Sequence, residues 1–155
     1  MAAIYRLTRS QLITRPLPEV FAFFSAAENL EAITPAFLRF RILTPLPIDM
    51  RAGTRIDYSL SLWGLPMRWR TKITSWQPDV RFIDEQERGP YALWRHSHDF
   101  EAFAGGTRMR DRVDYQLPMG PLGSIAHALL VRRSLHAIFD YRRRAIAQRF
   151  GEVLA

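Results

Sequence analysis

The sequence predicts an α+β fold in which a curved antiparallel sheet wraps around a long C-terminal helix. Between Gly53 and residue 117, polar and apolar residues alternate in five runs, and short turn sequences separate these runs. From about residue 121 to residue 150 the apolar residues instead recur at helical spacing. Two short helical stretches follow the first predicted strand. At 155 residues, the chain is expected to form one domain spanning 1–155.

The elements can be placed in order from their breakers. The first strand covers 4–13 and ends at a proline-rich entrance that puts Pro18 near the first helical position. Helical stretches at 19–24 and 28–33 close at Thr34 and Pro35. A second strand is expected over 38–43, before the Pro45-Leu46-Pro47 breaker. The meander then supplies strands at 54–63, 67–76, 80–88, 91–103 and 107–117.

Symmetric pairing of each hairpin about its turn predicts which side chains share the inward face of the sheet. One row across the sheet contains Ile56, Ile73, Phe82, His96 and Tyr115, and the next contains Tyr58, Thr71, Asp84, Trp94 and Leu117. The same register places His98 beside Val113, and Asp111 beside Phe100. It therefore predicts that no carboxylate stands directly beside either histidine.

The stretch from Gly89 to Phe100 carries the most informative pattern. A Gly-Pro pair precedes strict alternation, which places two histidines between Trp94 and Phe100 on one face of a strand. Such a mixture of imidazoles and large aromatic rings is typical of a half-polar pocket wall. The opposite face of the meander carries mostly Arg, Asp and Glu, which predicts a solvated surface.

Composition excludes several classes of protein. The chain has no cysteine, which rules out disulfides, thiolate metal ligands and cysteine nucleophiles. Its formal net charge is +7, but all except one of its 22 basic residues are arginines spread along the chain, and no nucleic-acid-binding motif accompanies them. No signal peptide or spanning segment is evident. We expect a cytoplasmic protein without nucleic-acid partners or membrane insertion.

The C-terminal helical pattern has two parts. Its main apolar face includes Leu135, Ile138 and Phe139, and Arg142 lies within that face. The apolar residues of 121–130 point elsewhere around the helix, which indicates a bend or a separate first turn. This first part is expected to serve either as a pocket lid or as an oligomer contact or fraying end.

Several stretches resemble a known superfamily, and together they cover nearly the whole chain. They are Pro18–Phe24 (PEVFAFF), Asn29–Pro35, Gly53–Tyr58 (GTRIDY), Arg81–Gln86 (RFIDEQ), Gly89–His98 and Tyr115–Pro118 (YQLP). They resemble the SRPBCC, or START-like, superfamily of polyketide cyclase/dehydrase and lipid-transport type, in its bacterial ligand-binding branch. The resemblance implies a helix-grip fold with an internal cavity for an apolar or amphipathic small molecule. It supplies no catalytic motif.

His96 and His98 leave several chemical roles open. Two strand residues two apart can reach one metal ion, with a third ligand from Asp84 or Asp111. The register argues against this, so we expect no metal and no cofactor. Otherwise wall groups such as Tyr115 or buried water satisfy the rings, or the rings contact a ligand or transfer protons.

The inward carboxylates require partners, because an unpaired buried charge is costly. Arg142 is the obvious partner for Asp84, Asp111 or an acidic ligand, and the alternative is that its side chain extends past the sheet edge to solvent. The predicted ligand-binding residues are Tyr58, Trp69, Thr71, Phe82, Asp84, Trp94, His96, His98, Phe100, Asp111, Tyr115, Ile138 and Arg142.

The function expected from these patterns is binding of a hydrophobic or aromatic small molecule in an internal cavity. The alternative is a cyclase, dehydratase or hydrolase that uses His96 or His98 as an acid-base group with Asp84. A third possibility is a protein that binds anionic surfaces. No nucleophile elbow or phosphate-binding glycine loop is present.

Overall fold

The computed structural model describes residues 3–153, and its centre is a seven-stranded antiparallel sheet with strand order β1-β7-β6-β5-β4-β3-β2. The strands are β1 (Ile4–Ile13), β2 (Arg41–Ile42), β3 (Arg55–Leu62), β4 (Leu65–Gln77), β5 (Arg81–Arg88), β6 (Leu93–Phe103) and β7 (Gly106–Gln116). The sheet is curved and holds a 31-residue C-terminal helix, which confirms the predicted helix-grip fold class.

The helices fall into two groups. Helix α1 (Leu17–Ser25) and two 3₁₀ helices (Ala27–Ile33 and Ala36–Leu38) follow β1. The C-terminal helix consists of α2 (Gly120–Ala126), a π-helical segment (His127–Val131) and α3 (Arg132–Phe150). The π-helical segment lies where the apolar pattern predicted a bend. The predicted strand 38–43 shrinks to β2, because a 3₁₀ turn beginning after Pro35 occupies its start and ends at Arg39 with a φ of 47°.

The hairpin registers differ from the predicted ones by two residues. β3 and β4 join through a two-residue turn, Trp63 and Gly64, whose φ angles of 50° and 78° fit the type I′ geometry that matches strand twist. Ile56 therefore pairs with Thr71 and not with Ile73, and Tyr58 pairs with Trp69. The prediction had assumed a turn centred one residue later.

The pairings on both sides of β6 also differ from the predicted ones by two residues. A two-residue turn pairs Phe103 with Gly106, so His96 pairs with Val113 and not with Tyr115. On the other side of β6, strand β5 pairs Phe82 with His98 and not with His96. Further pairs that differ from the prediction are His98 with Asp111, Phe100 with Met109, Trp94 with Tyr115, Asp84 with His96, and, beside β-bulges in the β4–β5 pair, Ile73 with Asp84 and Thr71 with Gln86. A register shift of two residues keeps each side chain on the same face of the sheet but changes its cross-strand neighbour.

Apolar packing fixes the helices on the concave face of the sheet. The aromatic residues of α1 form a core with Phe82, Phe100 and Phe150. In the first half of α3, Leu135 and Phe139 pack with other buried residues against β1 and β7. The exposed convex face carries ion pairs, which at such exposed positions contribute little to stability.

The first part of the C-terminal helix is separate from this packing. Leu122, Ile125, Leu129 and Leu130 are all exposed. Of the residues that line the internal cavity, none comes from 121–130. Within the described residues, no helix is both long enough and apolar enough to cross a membrane.

Replacing Gly106 with alanine is expected to destabilise the protein by about 2 kcal/mol or more. Gly106 starts β7 with a φ of 143°, and an added Cβ would overlap the carbonyl oxygen of Ile13 on β1. Gly53→Ala is the matched control, because Gly53 also has a positive φ, 94°, but open space around its Cβ position. Urea unfolding should show the larger loss for Gly106→Ala, and equal losses would contradict a steric cause.

Candidate functional site

A partly open cavity of about 190 Å³ lies between the concave face of the sheet and α3. Its walls are mostly apolar and aromatic, and charged and imidazole groups gather at one place on the wall. The lining side chains are Phe24, Ala27, Leu30, Ile33, Thr34, Leu38, Phe40, Met50, Ile56, Tyr58, Leu60, Leu62, Trp69, Thr71, Ile73, Phe82, Asp84, Tyr91, Trp94, His96, His98, Leu135, Ile138, Phe139 and Arg142.

The charged part of the site is a compact cluster of Asp84, His96, His98, Asp111 and Arg142, which we call the His-Asp-Arg cluster. The two imidazole rings stack with their centroids 3.7 Å apart. Strand β6 supplies both rings at positions two apart, β5 and β7 supply one carboxylate each, and α3 supplies the guanidinium. The observed register therefore places a carboxylate beside each histidine, contrary to the prediction.

Each histidine donates a hydrogen bond to a different carboxylate. His98 Nε2–H donates to Asp84 Oδ2 at 2.7 Å, and His96 Nε2–H donates to Asp111 Oδ1 at 2.8 Å. Burial lowers the pKa of His98, but its contacts with both carboxylates outweigh burial and leave that pKa raised. Burial and the neighbouring His98 lower the pKa of His96. The two stacked rings thus differ in basicity, and His98 holds a proton more readily.

Both carboxylates remain ionised in spite of burial. Burial alone would raise the pKa of Asp111, but the charge of Arg142 and the hydrogen bonds of the two histidines hold that pKa well below its ordinary value. The pKa of Asp84 is also lowered, because the His98 hydrogen bond and nearby cationic groups outweigh its burial. Two ionised carboxylates therefore lie in the cluster, and the Arg142 guanidinium and the histidines offset their charge.

Arg142 lies in the cluster, which agrees with the first of the two predicted alternatives, pairing with an inward carboxylate. Its Nη2–H donates to Asp111 Oδ1 at 3.3 Å, and its guanidinium carbon lies 5.2 Å from the centroid of the Phe24 ring. Its Nε lacks a hydrogen-bond partner, the one such buried side-chain nitrogen or oxygen among the described residues. The side chain of Arg142 lines the cavity.

Ten of the thirteen predicted ligand-binding residues line the cavity, and three do not. Asp111 lies behind the histidines, on the side away from the cavity lining. Phe100 packs with Phe21 beneath α1, since that helix covers this end of the sheet. Tyr115 bonds His127 at 2.7 Å, so it does not satisfy the histidines of the cluster.

Sequence reasoning missed a second group of cavity residues. Phe24, Leu30 and Ile33 come from the short helices, whose apolar faces predicted packing without showing against what. Tyr91 lies in the predicted strand 91–103, where alternation places it on the outward face, but in the structure it precedes β6 and lines the cavity. Its backbone is held by Gln86, whose amide accepts a hydrogen bond from Tyr91 N at 3.1 Å and donates one to Tyr91 O at 2.8 Å.

Comparison with known proteins decides the family. The sequence matches the family described as polyketide cyclase / dehydrase and lipid transport over residues 13–139, most of its length. The chain belongs to this family. The polyketide cyclase/dehydrase and lipid transport family is of the SRPBCC type, so the resemblance seen in the sequence is confirmed. No curated protein matches the sequence.

Solved structures show the same fold at low sequence identity. Protein CV1439 from Chromobacterium violaceum superposes with a TM-score of 0.70 at 13% identity, covering 96% of each chain. Ara h 8.0201 gives a TM-score of 0.61 at 14% identity, covering 94% of this family member and 99% of that chain. A nucleoside-diphosphate sugar epimerase from Corynebacterium glutamicum gives 0.67 at 23% identity, covering 92% of this chain and 28% of the epimerase.

Proposed function

We propose that the protein binds a small hydrophobic or aromatic molecule, lipid-like or polyketide-like, with its polar group at the His-Asp-Arg cluster. The observation that carries this proposal is an apolar internal cavity with charged groups on one part of its wall. Pockets of this composition bury the body of a ligand and orient it through a few polar groups. A cavity of about 150 Å³ holds benzene, so 190 Å³ suits one or two rings or a short acyl segment.

The aromatic wall supports binding of an apolar body. Trp69 Nε1–H donates to Thr71 Oγ1 at 3.0 Å, and the Tyr58 hydroxyl lies 3.0 Å from the same oxygen. Thr71 thereby satisfies the polar atoms of both rings, which leaves mainly carbon surface for a ligand. Trp94 meets Trp69 edge to face, at 5.3 Å between ring centroids and 89° between planes. Burial also raises the pKa of Tyr58, so its hydroxyl stays neutral.

The cluster supports recognition of an oxygen-bearing group. Arg142 lines the cavity and its Nε–H has no partner in the protein, and a buried donor gains more from a ligand acceptor than from remaining unpaired. A carbonyl, phenol or carboxylate oxygen on the ligand meets this requirement. The proposed ligand is therefore amphipathic, with an apolar body and one oxygen-rich end.

The test compares 2-naphthol with naphthalene, which lacks the hydroxyl, by fluorescence titration. We expect 2-naphthol to bind the purified protein about tenfold more tightly, since one hydrogen bond to a charged group is worth about 1.5 kcal/mol. Leu135→Phe, at a cavity residue that is 4% exposed, should weaken binding of both. Leu129→Phe is the matched control at a residue that is 68% exposed and should change nothing.

Native mass spectrometry of the purified protein, compared with its denatured extract, adds a check that needs no chosen probe. A reproducible extra mass that denaturation releases would support the proposal and reveal the class of ligand. A clean apoprotein that also fails to bind either naphthalene compound would overturn it. Equal affinity in both phenylalanine variants would place binding outside the cavity and overturn it as well.

A second candidate function is acid-base catalysis, which the buried hydrogen bond between His98 and Asp84 favours. A hydrolase with this pair should convert 2-naphthyl acetate to 2-naphthol and acetate. His98→Gln should then abolish turnover and leave binding of 2-naphthol intact, whereas a binding protein should show at most a changed affinity. No turnover above the uncatalysed rate in the unmodified protein would remove the hydrolase reading.

A further inference from the structure

We propose that Asp84, His96 and His98 form a binding site for one divalent transition-metal ion at the polar part of the cavity wall. Each residue offers one ligand atom, and the three atoms lie within 4.8 Å of one another. Two imidazole nitrogens and one carboxylate oxygen are donors that suit Zn²⁺, Co²⁺, Ni²⁺ or Fe²⁺ better than Ca²⁺ or Mg²⁺. All three residues also line the cavity.

The distances between the ligand atoms fit a small ion. Asp84 Oδ2 lies 2.7 Å from His98 Nε2 and 4.0 Å from His96 Nδ1. Ligand atoms of a tetrahedral zinc ion, each about 2.0 Å from the metal, are about 3.3 Å apart. The observed distances lie on either side of this value, so small rotations of the side chains bring all three atoms to bonding distance.

Asp111 orients both histidines from behind. Metal-bound histidines usually donate their other ring N–H to a carboxylate, which fixes the tautomer and ring orientation. His96 Nε2–H donates to Asp111 at 2.8 Å, which leaves Nδ1 as the nitrogen nearer Asp84. His98 Nδ1 lies 3.4 Å from the same Asp111 oxygen, and its Nε2 faces Asp84. Asp111 thus leaves His96 Nδ1 free to face Asp84, and it lies within reach of a proton on His98 Nδ1 once a metal replaces the hydrogen bond between His98 and Asp84.

The carboxylates of the cluster offset part of the charge of a cation. A metal bound by His96 and His98 requires both rings to be neutral, and Asp84 and Asp111 then carry two negative charges against the one positive charge of Arg142. A dication would leave the cluster with a formal charge of +1. The ion would then attract an anionic oxygen of a cavity ligand, and three protein ligands leave a coordination position for it. A bound metal therefore extends the oxygen-binding role of the cluster.

In the structure a hydrogen bond between His98 and Asp84 closes the gap that a metal would occupy. A proton and a metal ion are therefore competing occupants of the same position. This competition provides the contrast for an experiment. Metal binding at His98 Nε2 requires the proton of this hydrogen bond to leave Nε2, for example to Nδ1, which faces Asp111, and the protein ligands then change the ligand field of the ion.

The experiment titrates the full chain, stripped with EDTA and dialysed, with Co²⁺ alone while its visible absorption is recorded. We expect one equivalent to produce stronger bands than aqueous Co²⁺, together with a raised midpoint of thermal unfolding. Asp84→Asn and His98→Gln should each weaken binding at least tenfold. His136→Gln is the matched control, because His136 lies outside the cluster and bonds Arg9 at 2.8 Å.

The Co²⁺ titration of the unmodified protein tests the proposal even if a variant fails to fold. Unchanged absorption and an unchanged thermal midpoint on adding Co²⁺ would overturn the metal site. So would equal affinities in Asp84→Asn, confirmed as folded by circular dichroism, and His136→Gln, because binding would then lie elsewhere. No organic ligand is present in this titration, so its failure leaves the proposal for apolar ligand binding standing.

Discussion

Replacing Arg142 with alanine is expected to destabilise the protein by about 3–5 kcal/mol, because it leaves an ionised carboxylate buried without its cation. Asp111 is buried, and the charge of Arg142 is the largest influence that keeps its pKa low. Without the guanidinium, folding must either protonate Asp111 or bury its charge unpaired. The free energy of unfolding from urea titrations, followed by circular dichroism, measures the loss.

Arg144→Ala provides the matched control, because Arg144 is exposed on the same helix. Its replacement should change the free energy of unfolding by no more than about 0.5 kcal/mol. The double variant Arg142→Met with Asp111→Asn removes both charges and should recover part of the loss. Similar effects of Arg142→Ala and Arg144→Ala would show that the cluster is not a stabilising ion network.

The fold was predictable because alternation and helical spacing are strong local signals. Every meander strand lies within two residues of its predicted bounds, and the candidate residues could be assigned to the inward face of the sheet. The register could not be assigned, because a two-residue turn at Trp63 and Gly64 and one at Gly64 and Leu65 would use the same glycine. At the first meander hairpin, the positive φ angles of Trp63 and Gly64 mark the earlier turn, and a tryptophan gives no sequence signal for that conformation.

The candidate site was predictable in composition but not in connectivity. A two-residue slip keeps Asp84, His96 and Asp111 on the inward face, so the cluster members were found even though their neighbours were assigned wrongly. Which carboxylate meets which histidine depends on register, and this changed the expectation about a metal. Phe100 was misplaced for a different reason. Knowing that a side chain lies on the inward face of the sheet does not show which part of that face a helix covers. Helix α1 covers the end of the sheet that contains Phe100.

Phe139 couples the core of the protein to its cavity. Its side chain is 5% exposed, packs among buried residues of α3 and β7, and lines the cavity. Its ring also meets His96 edge to face at a centroid distance of 5.5 Å. Phe139→Ala is therefore expected to lower the free energy of unfolding by about 3–5 kcal/mol through lost packing and an enlarged void. Urea unfolding again provides the measurement.

The control for this prediction is Phe37→Ala, since Phe37 is 60% exposed and its replacement should cost no more than about 0.5 kcal/mol. The cost of a large-to-small change depends on how far the surroundings collapse into the space. A loss well below about 3 kcal/mol for Phe139→Ala would mean that neighbouring side chains move into the cavity. A wall that moves so readily has no fixed shape, and selective binding of 2-naphthol over naphthalene at the cluster requires a fixed one.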